Sequence, residues 1–212
     1  MKNILILMLV TFVSAYSQNG DQAKKLLEEV SAKMNSYDNV YVKFDYMLEN
    51  KEEDVQQALE GDVTLQGEKY VVNLFGSNQI FDGLKTYTII PENEEVNISE
   101  PDADDKNNIS PSKFITFYKN GYTFVMGDLK NIGGKQVQFV QLVPIDTNSE
   151  MALVIVGIDN KSKHIYNIKQ IGKNEIETTL TVRDLKIDQN LNNGMFVFDQ
   201  KKYEDLGYII ND

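Results

Sequence analysis

The 212-residue chain contains no cysteine, no tryptophan and only one histidine. Without cysteine it has no disulfides, no thiolate zinc site and no cysteine nucleophile. The single histidine, His164, gives little support to a histidine-rich metal site or to histidine acid–base catalysis. Arginine is nearly absent as well, because Arg183 is its one occurrence. This scarcity argues against arginine clamps on phosphates or carboxylates.

Positive charge is also in short supply. The chain has 21 basic and 32 acidic residues, a net charge of −11 and a pI of about 4.6. Nucleic-acid surfaces need clustered lysine and arginine, so the composition argues against a nucleic-acid partner. The hydrophobic content of 42% is typical of a folded globular protein, and the length favours a single domain.

Long apolar runs are confined to the N-terminus. Residues 1–17 start with Met-Lys-Asn, continue with an apolar run from Ile4 to Val13, and end in Ser-Ala-Tyr-Ser. This order is typical of a secretory signal peptide, with Ala15 and Ser17 at the −3 and −1 positions before cleavage. The alternative, a membrane anchor, is disfavoured because the run is too short to cross a bilayer core. We therefore expect a signal peptide over 1–17, a mature domain over 18–212, and a periplasmic location.

The pattern downstream predicts one helix followed by many strands. Apolar residues recur every three or four positions from Asp21 to Tyr37, which predicts an amphipathic helix capped by Asp21. From Asn39 the apolar period becomes two, which is typical of half-buried strands. Turn signals divide the rest into predicted strands at 40–48, 58–66, 69–76, 79–81, 84–90, 95–99, 136–143, 151–159, 165–171, 176–187 and 195–198.

One mid-chain segment breaks this strand pattern. Residues 92–105 carry seven acidic side chains and favour a solvated loop. An EF-hand starting at Asp102 fails at Lys106, Asn107 and Lys113, so no calcium site is predicted. Ser110–Pro111 then begins a short helix to about Lys119 that is rich in aromatic residues and flanked by polar loops, as a movable flap would be.

Motifs for catalysis are scarce. The chain has no nucleophile elbow, no phosphate-binding glycine loop and no cofactor signature, so we predict no catalytic residues, no cofactor and no metal. A hydrolase built on paired carboxylates stays open as a minor alternative, although nothing singles out one pair. The remaining feature is a set of aromatic and aliphatic strand residues. They either pack against one another as core or line an apolar concavity for an acyl ligand.

The order of the motifs resembles the periplasmic outer-membrane lipoprotein carrier family, of the LolA/LolB type. The resemblance covers nearly all of the mature chain and includes a Phe-x-Phe closing strand. It is carried by the N-terminal helix, VYVKFDY at 40–46, EGDVTL at 60–65, FDGLKTYTIIP at 81–91, PSKF at 111–114 through NGY at 120–122, and NGMFVFD at 193–199.

The resemblance implies both a fold and a function. The implied fold is α+β, with a single curved antiparallel sheet of about 11 strands forming an unclosed half-barrel. The N-terminal helix and the mid-chain helical lid would cover its concave face. The implied function is a monomeric periplasmic carrier of acylated lipoproteins, which receives cargo from an inner-membrane release complex and delivers it to an outer-membrane acceptor. The alternative is a binding module for another amphiphile, such as a fatty acid or glycolipid, or an envelope scaffold.

The residues implied by this resemblance form an apolar surface and not a catalytic set. Tyr87 stands where the family often has tryptophan, and the basic residue that the family links to lid closure has no clear counterpart here. The predicted lipid-binding residues are Phe44, Tyr46, Val63, Leu65, Tyr87, Ile89, Phe114, Phe117, Tyr118 and Phe124.

Overall fold

The computed structural model describes residues 19–101 and 121–212. Helix α1 covers residues 19–34, and its apolar residues form one buried stripe because they recur every three or four positions. The predicted cap is wrong, since Asp21 lies inside the helix and is exposed. The predicted signal peptide and mid-chain helix lie outside the described residues. The buried stripe of α1 comprises Ala23, Leu26, Leu27, Val30 and Met34.

Twelve strands follow α1, where the sequence predicted about 11. They are β1 (Val40–Asn50), β2 (Val55–Gln66), β3 (Lys69–Leu74), β4 (Ser77–Phe81), β5 (Thr86–Ile90), β6 (Glu95–Ser99), β7 (Tyr122–Ile132), β8 (Lys135–Pro144), β9 (Met151–Asp159), β10 (Ile165–Gly172), β11 (Ile176–Ile187) and β12 (Ile209–Asn211). Most bounds match the predicted strands to within a few residues.

All twelve strands belong to one sheet, in the order β12-β6-β5-β4-β3-β2-β1-β11-β10-β9-β8-β7. The sheet is unclosed, with β12 and β7 as its edges, and the fold is α+β with an essentially antiparallel sheet. The short β12 is the exception, since it pairs with β6 in parallel. No helix in the two described ranges is long and apolar enough to cross a membrane.

The C-terminal region differs from the prediction. Residues 195–198, predicted as a strand, form a turn and irregular chain. A short helix α2 (Gln200–Asp205) follows, capped by the side chain of Asp199, which accepts a hydrogen bond from the Lys202 N–H. The sequence analysis did not predict β7, α2 or β12. Helix α2 gave no signal because six helical residues without a buried face show no apolar period.

The chain divides into two compact units. The first contains the described parts of Met1–Lys33, Leu48–Gln56 and Tyr118–Thr179. Here α1 meets β7 and the β9–β10 turn: the Asn19 side chain accepts a hydrogen bond from the Met126 N–H at 2.7 Å, and Glu29 pairs with Lys163 at 3.7 Å. The strand core of this unit is aliphatic and comprises Val137, Val140, Leu142, Val154, Val156, Ile158 and Ile168.

The second unit contains Met34–Met47, the described part of Gln57–Phe117, and Leu180–Asp212. One of its cores consists of buried Ile80, Ile89 and Val96 from β4, β5 and β6. These strands alternate in burial because successive side chains point to opposite faces. The second unit carries the candidate site described next.

Candidate functional site

Strand register in the second unit sorts its side chains onto two faces. Leu65 lies opposite Tyr70, which in turn lies opposite Phe81, and directly opposed residues of antiparallel strands share a face. Phe44 belongs to the same face, because a Cβ on Gly61 would come within 2.8 Å of its ring. We name this surface the Phe44 face. Its apolar residues on β1–β4 include Phe44, Tyr46, Val63, Leu65, Tyr70, Val72 and Phe81.

The Phe44 face is apolar but only partly buried. Phe44 and Tyr70 are buried, whereas Val63, Val72 and Phe81 are half-buried. The rings of Tyr70 and Phe81 lie 5.4 Å apart and tilted, which is a favourable aromatic arrangement. Burial raises the pKa of the Tyr70 hydroxyl, and a hydrogen bond with Thr86 opposes this rise. Tyr70 is therefore a neutral hydroxyl set in an apolar surface.

A short hydrogen-bonded row of neutral groups continues this face across β3, β4 and β5. The Tyr70 hydroxyl donates to Oε1 of Gln79 at 3.2 Å, and Nε2 of Gln79 donates to Oγ1 of Thr88 at 3.2 Å. Gln79 and Thr88 are opposed in the β4–β5 register, which explains why their side chains meet. We name Tyr70, Gln79 and Thr88 the neutral row.

Charged residues lie on the opposite face of β1 and β2, which we name the Lys43 face. Lys43 pairs with Glu60 at 2.7 Å, and Arg183 pairs with Asp45. Lys43, Glu60 and Asp62 also line a groove of about 510 Å³. The alternation of β1 and β2 therefore separates apolar side chains from charged ones.

Further along the sheet the Lys43 face is covered by the chain itself. Tyr87 and Ile89 lie on this face, since Tyr87 opposes Ile80 and Ile89 opposes Val96. Residues from the C-terminal segment pack there, and four aromatic rings follow one another with centroids 4.6, 5.3 and 5.2 Å apart, the first two pairs stacked and the third edge-to-face. Those rings are Tyr87, Phe198, Tyr203 and Tyr208. This part of the Lys43 face is core.

The structure brings together four of the ten predicted lipid-binding residues. Phe44, Tyr46, Val63 and Leu65 share the Phe44 face. Tyr87 and Ile89 lie on the opposite face, and Phe124 belongs to the first unit, on β7 opposite Leu142. Phe114, Phe117 and Tyr118 lie outside the described residues. The sequence analysis missed Tyr70, Val72 and Phe81, which only the strand pairing assigns to this face.

The described residues contain little that suggests catalysis. His164 is half-buried, and its pKa is lowered by burial and by Lys33, which favours the neutral ring. The structure, over 19–101 and 121–212, holds no group of three or more histidine or acidic side chains placed to bind a metal. A hydrogen-bonding apolar face, in contrast, can hold a ligand by burial.

Sequence comparison assigns this chain to a family. The profile described as "Outer membrane lipoprotein carrier protein LolA" matches residues 13–173. The chain belongs to the LolA family. Members of this family are periplasmic, and LolA-superfamily folds are binding and carrier proteins. No curated protein sequence matches the chain.

Solved structures resemble this chain at low sequence identity. An uncharacterized conserved protein from Thermus thermophilus is 8% identical, with a TM-score of 0.56 over 89% of this chain and 98% of its own. A LolA superfamily protein from Nitrosomonas europaea is 11% identical, with a TM-score of 0.43 over 84% and 98%. The Mycobacterium tuberculosis lipoprotein LppX is 13% identical, with a TM-score of 0.47 over 80% and 98%.

Proposed function

We propose that this protein is a periplasmic carrier that shields the acyl chains of lipoproteins and moves them from the inner to the outer membrane. The observation that carries the proposal is the Phe44 face, an apolar surface whose charged neighbours are turned to the opposite side of β1 and β2. Family membership supports it, because the LolA family is a lipoprotein carrier family.

Physical chemistry explains why such a carrier is needed. Each buried CH₂ is worth about 0.8 kcal/mol, so several acyl chains cannot cross water unshielded. A half-buried surface of valine, phenylalanine and tyrosine supplies apolar area for this burial. Because a carrier must also release its cargo, a surface that is only partly buried and carries tyrosine hydroxyls suits the task. We propose an inner-membrane release complex as the donor and an outer-membrane receptor as the acceptor.

The experiment uses the mature protein, residues 18–212, and a lipoprotein released from membranes in its acylated and unacylated forms. We expect the carrier to retain only the acylated form and to transfer it to outer-membrane vesicles. Equal retention of the unacylated form would show that the acyl chains are not what is bound. Retention of a free fatty acid or glycolipid in its place, detected by native mass spectrometry, would favour the amphiphile-binding alternative.

Two neighbouring substitutions on β3 locate the binding surface. Val72→Thr keeps the side-chain shape but makes the Phe44 face more polar, and we expect it to weaken retention of the acylated lipoprotein several-fold. Asn73→Thr changes the exposed neighbour on the Lys43 face and serves as the matched control. If Asn73→Thr weakened retention as much as Val72→Thr, the Phe44 face would not be the binding surface.

A further inference from the structure

The Phe44 face combines apolar and neutral polar side chains in a particular order. Its β1, β2 and β3 part is apolar, whereas its β4, β5 and β6 part carries amides and hydroxyls. Register places Gln79 opposite Thr88 and Thr88 opposite Asn97, with Thr86 opposite Ser99 one step away. The face is therefore amphiphilic along the direction that crosses the strands.

Charge is almost absent from the Phe44 face in the described strands β1–β6 of the second unit. The charged residue found there is Glu95, at the start of β6 and opposite Ile90. It lies two residues from Asn97, on the same side of β6. The basic residues of these strands, Lys43 on β1 and Lys69 on β3, lie on the Lys43 face. Lys69 is assigned to that face because it opposes Gln66. An anionic headgroup would therefore meet a carboxylate here and no ammonium group.

The neutral row ends in a hydrogen-bond donor. Tyr70 donates to Gln79 and Gln79 donates to Thr88, so the hydroxyl oxygen of Thr88 is used as an acceptor. Its hydroxyl proton is then directed away from Gln79 and can be donated to a carbonyl oxygen. Hydrogen bonds in such a chain polarise one another, which strengthens the terminal donor.

From these features we infer that the Phe44 face selects acyl ligands with an uncharged ester or amide headgroup, with the neutral row contacting the headgroup carbonyl. This inference rests on the proposed acyl-binding function. The ester and amide groups of an acylated lipoprotein N-terminus have this chemistry, as do neutral glycerides. A carboxylate or phosphate headgroup is disfavoured, because burying an unpaired charge is far more costly than burying a hydrogen-bonded neutral group.

The test compares two ligands with the same chain, 1-lauroylglycerol and laurate, at pH 8, where laurate is ionised. Each displaces an uncharged fluorescent acyl ester from the mature protein. We expect 1-lauroylglycerol to displace the probe at roughly tenfold lower concentration than laurate, because laurate must be desolvated without a cation. If laurate displaced the probe at the same concentration as 1-lauroylglycerol, or at a lower one, the inference would be wrong and acyl binding would still stand. Failure of both ligands and of the probe to bind would instead refute the proposed function, and the inference with it.

Matched lysine substitutions test the face directly. Gln79→Lys adds a cation to the Phe44 face, and we expect it to shift the preference toward laurate by roughly tenfold. Asn78→Lys adds the same charge on the Lys43 face, where Asn78 opposes Asn73, and should leave the preference unchanged. Equal shifts in both variants would mean that net charge, and not the Phe44 face, sets the preference. If Gln79→Lys does not fold, Gln79→Leu takes its place. We expect it to weaken the binding of 1-lauroylglycerol several-fold and not to strengthen the binding of laurate.

A second pair of ligands distinguishes the two sources of the neutral headgroup. A tripalmitoyl-S-glyceryl-cysteinyl peptide carries the ester and amide groups of a lipoprotein, and dipalmitoylglycerol carries esters alone. Tighter binding of the lipopeptide assigns the site to lipoproteins, and tighter binding of the glyceride assigns it to a free neutral lipid. Either result supports the neutral-headgroup inference, and tighter binding of dipalmitoylphosphatidate than of both would contradict it.

Discussion

Glu177 illustrates how single residues hold the first unit together. Its carboxylate oxygens lie 2.8 Å from Nζ of Lys51 and 2.5 Å from Nζ of Lys169, and its side chain is 12% exposed. The hydrogen bonds from Lys169 and Lys51 lower the pKa of Glu177, and burial opposes them only in part. The ionised carboxylate on β11 therefore ties together the β1–β2 turn, through Lys51, and β10, through Lys169.

Replacing Glu177 with glutamine should reduce stability in a pH-dependent way. A carboxylate whose pKa is depressed by folding stabilises the folded state above its unfolded pKa, and this contribution is lost as pH falls through the folded pKa. We expect Glu177→Gln to unfold at lower urea concentration than the wild type at pH 7. The difference should shrink below pH 4.5, where the unfolded-state carboxyl protonates, and vanish below the folded pKa.

A surface ion pair provides the control for this prediction. Asp184 pairs with Lys186 at 3.5 Å, and both side chains are about half exposed, so Asp184→Asn should change the urea midpoint little at any pH. A difference between wild type and Glu177→Gln that stayed constant from pH 7 to below the folded pKa would show that packing, and not charge, explains the loss.

Residue patterns alone could not identify the site. Leu65 and Ile89 are both aliphatic residues in alternating strands, yet Leu65 lies on the Phe44 face and Ile89 in the core of the Lys43 face. Alternation shows that side chains separate onto two faces, but it does not say which face of one strand matches which face of the next. That assignment depends on hairpin register, which turn geometry and side-chain packing fix in the folded chain.

Secondary structure was more predictable, because alternation over five or more residues is a local signal. The strands Glu95–Ser99, Met151–Asp159 and Ile176–Ile187 occur as predicted. The wrong prediction, a strand over residues 195–198, rested on the two aromatic residues of a Phe-x-Phe pattern. In the structure Phe198 lies in irregular backbone, and its ring stacks between those of Tyr87 and Tyr203. A four-residue pattern cannot distinguish these two outcomes.

The C-terminal segment, residues 195–212, covers the core of the second unit, and Phe198 is its central contact. Its ring stacks on Tyr87 at 4.6 Å and on Tyr203 at 5.3 Å, and it packs against the cluster of Ile80, Ile89 and Val96. We expect Phe198→Ala to lower the free energy of unfolding by about 3 kcal/mol. This value is at the lower end of the range for a buried phenylalanine, because Phe198 is half-buried. Urea unfolding followed by tyrosine fluorescence measures this change.

The neighbouring Val197 is the matched control, since its side chain is 61% exposed. Val197→Ala should change the unfolding free energy by no more than about 0.5 kcal/mol. A comparably small effect of Phe198→Ala would show that the aromatic stack contributes little and that β12 alone holds the segment in place. The two variants therefore separate the contribution of the stack from that of the strand.

At the scale of the whole molecule, the net charge of the chain suits the proposed role as a carrier. Cleavage of the predicted signal peptide, residues 1–17, would remove Lys2 alone among the charged residues, so 20 basic against 32 acidic residues would give the mature chain a net charge of −12. A charge of this sign is repelled by anionic lipid surfaces. In the proposed carrier role, the protein would therefore meet a membrane by recognising a partner there, and not by adsorbing to the lipid.

The proposed carrier role requires export, and the predicted signal peptide leads to the last prediction. The apolar run followed by Ala15 and Ser17 predicts cleavage before Gln18, so the periplasmic fraction should contain a chain whose intact mass corresponds to residues 18–212. Ala15→Glu places a charged residue at the −3 position, where a small side chain is needed, and should leave the precursor uncleaved. Ser14→Glu alters the adjacent −4 position and should be processed normally. An unprocessed wild-type chain in the cytoplasmic fraction would contradict the carrier function, because lipoprotein cargo crosses the periplasm.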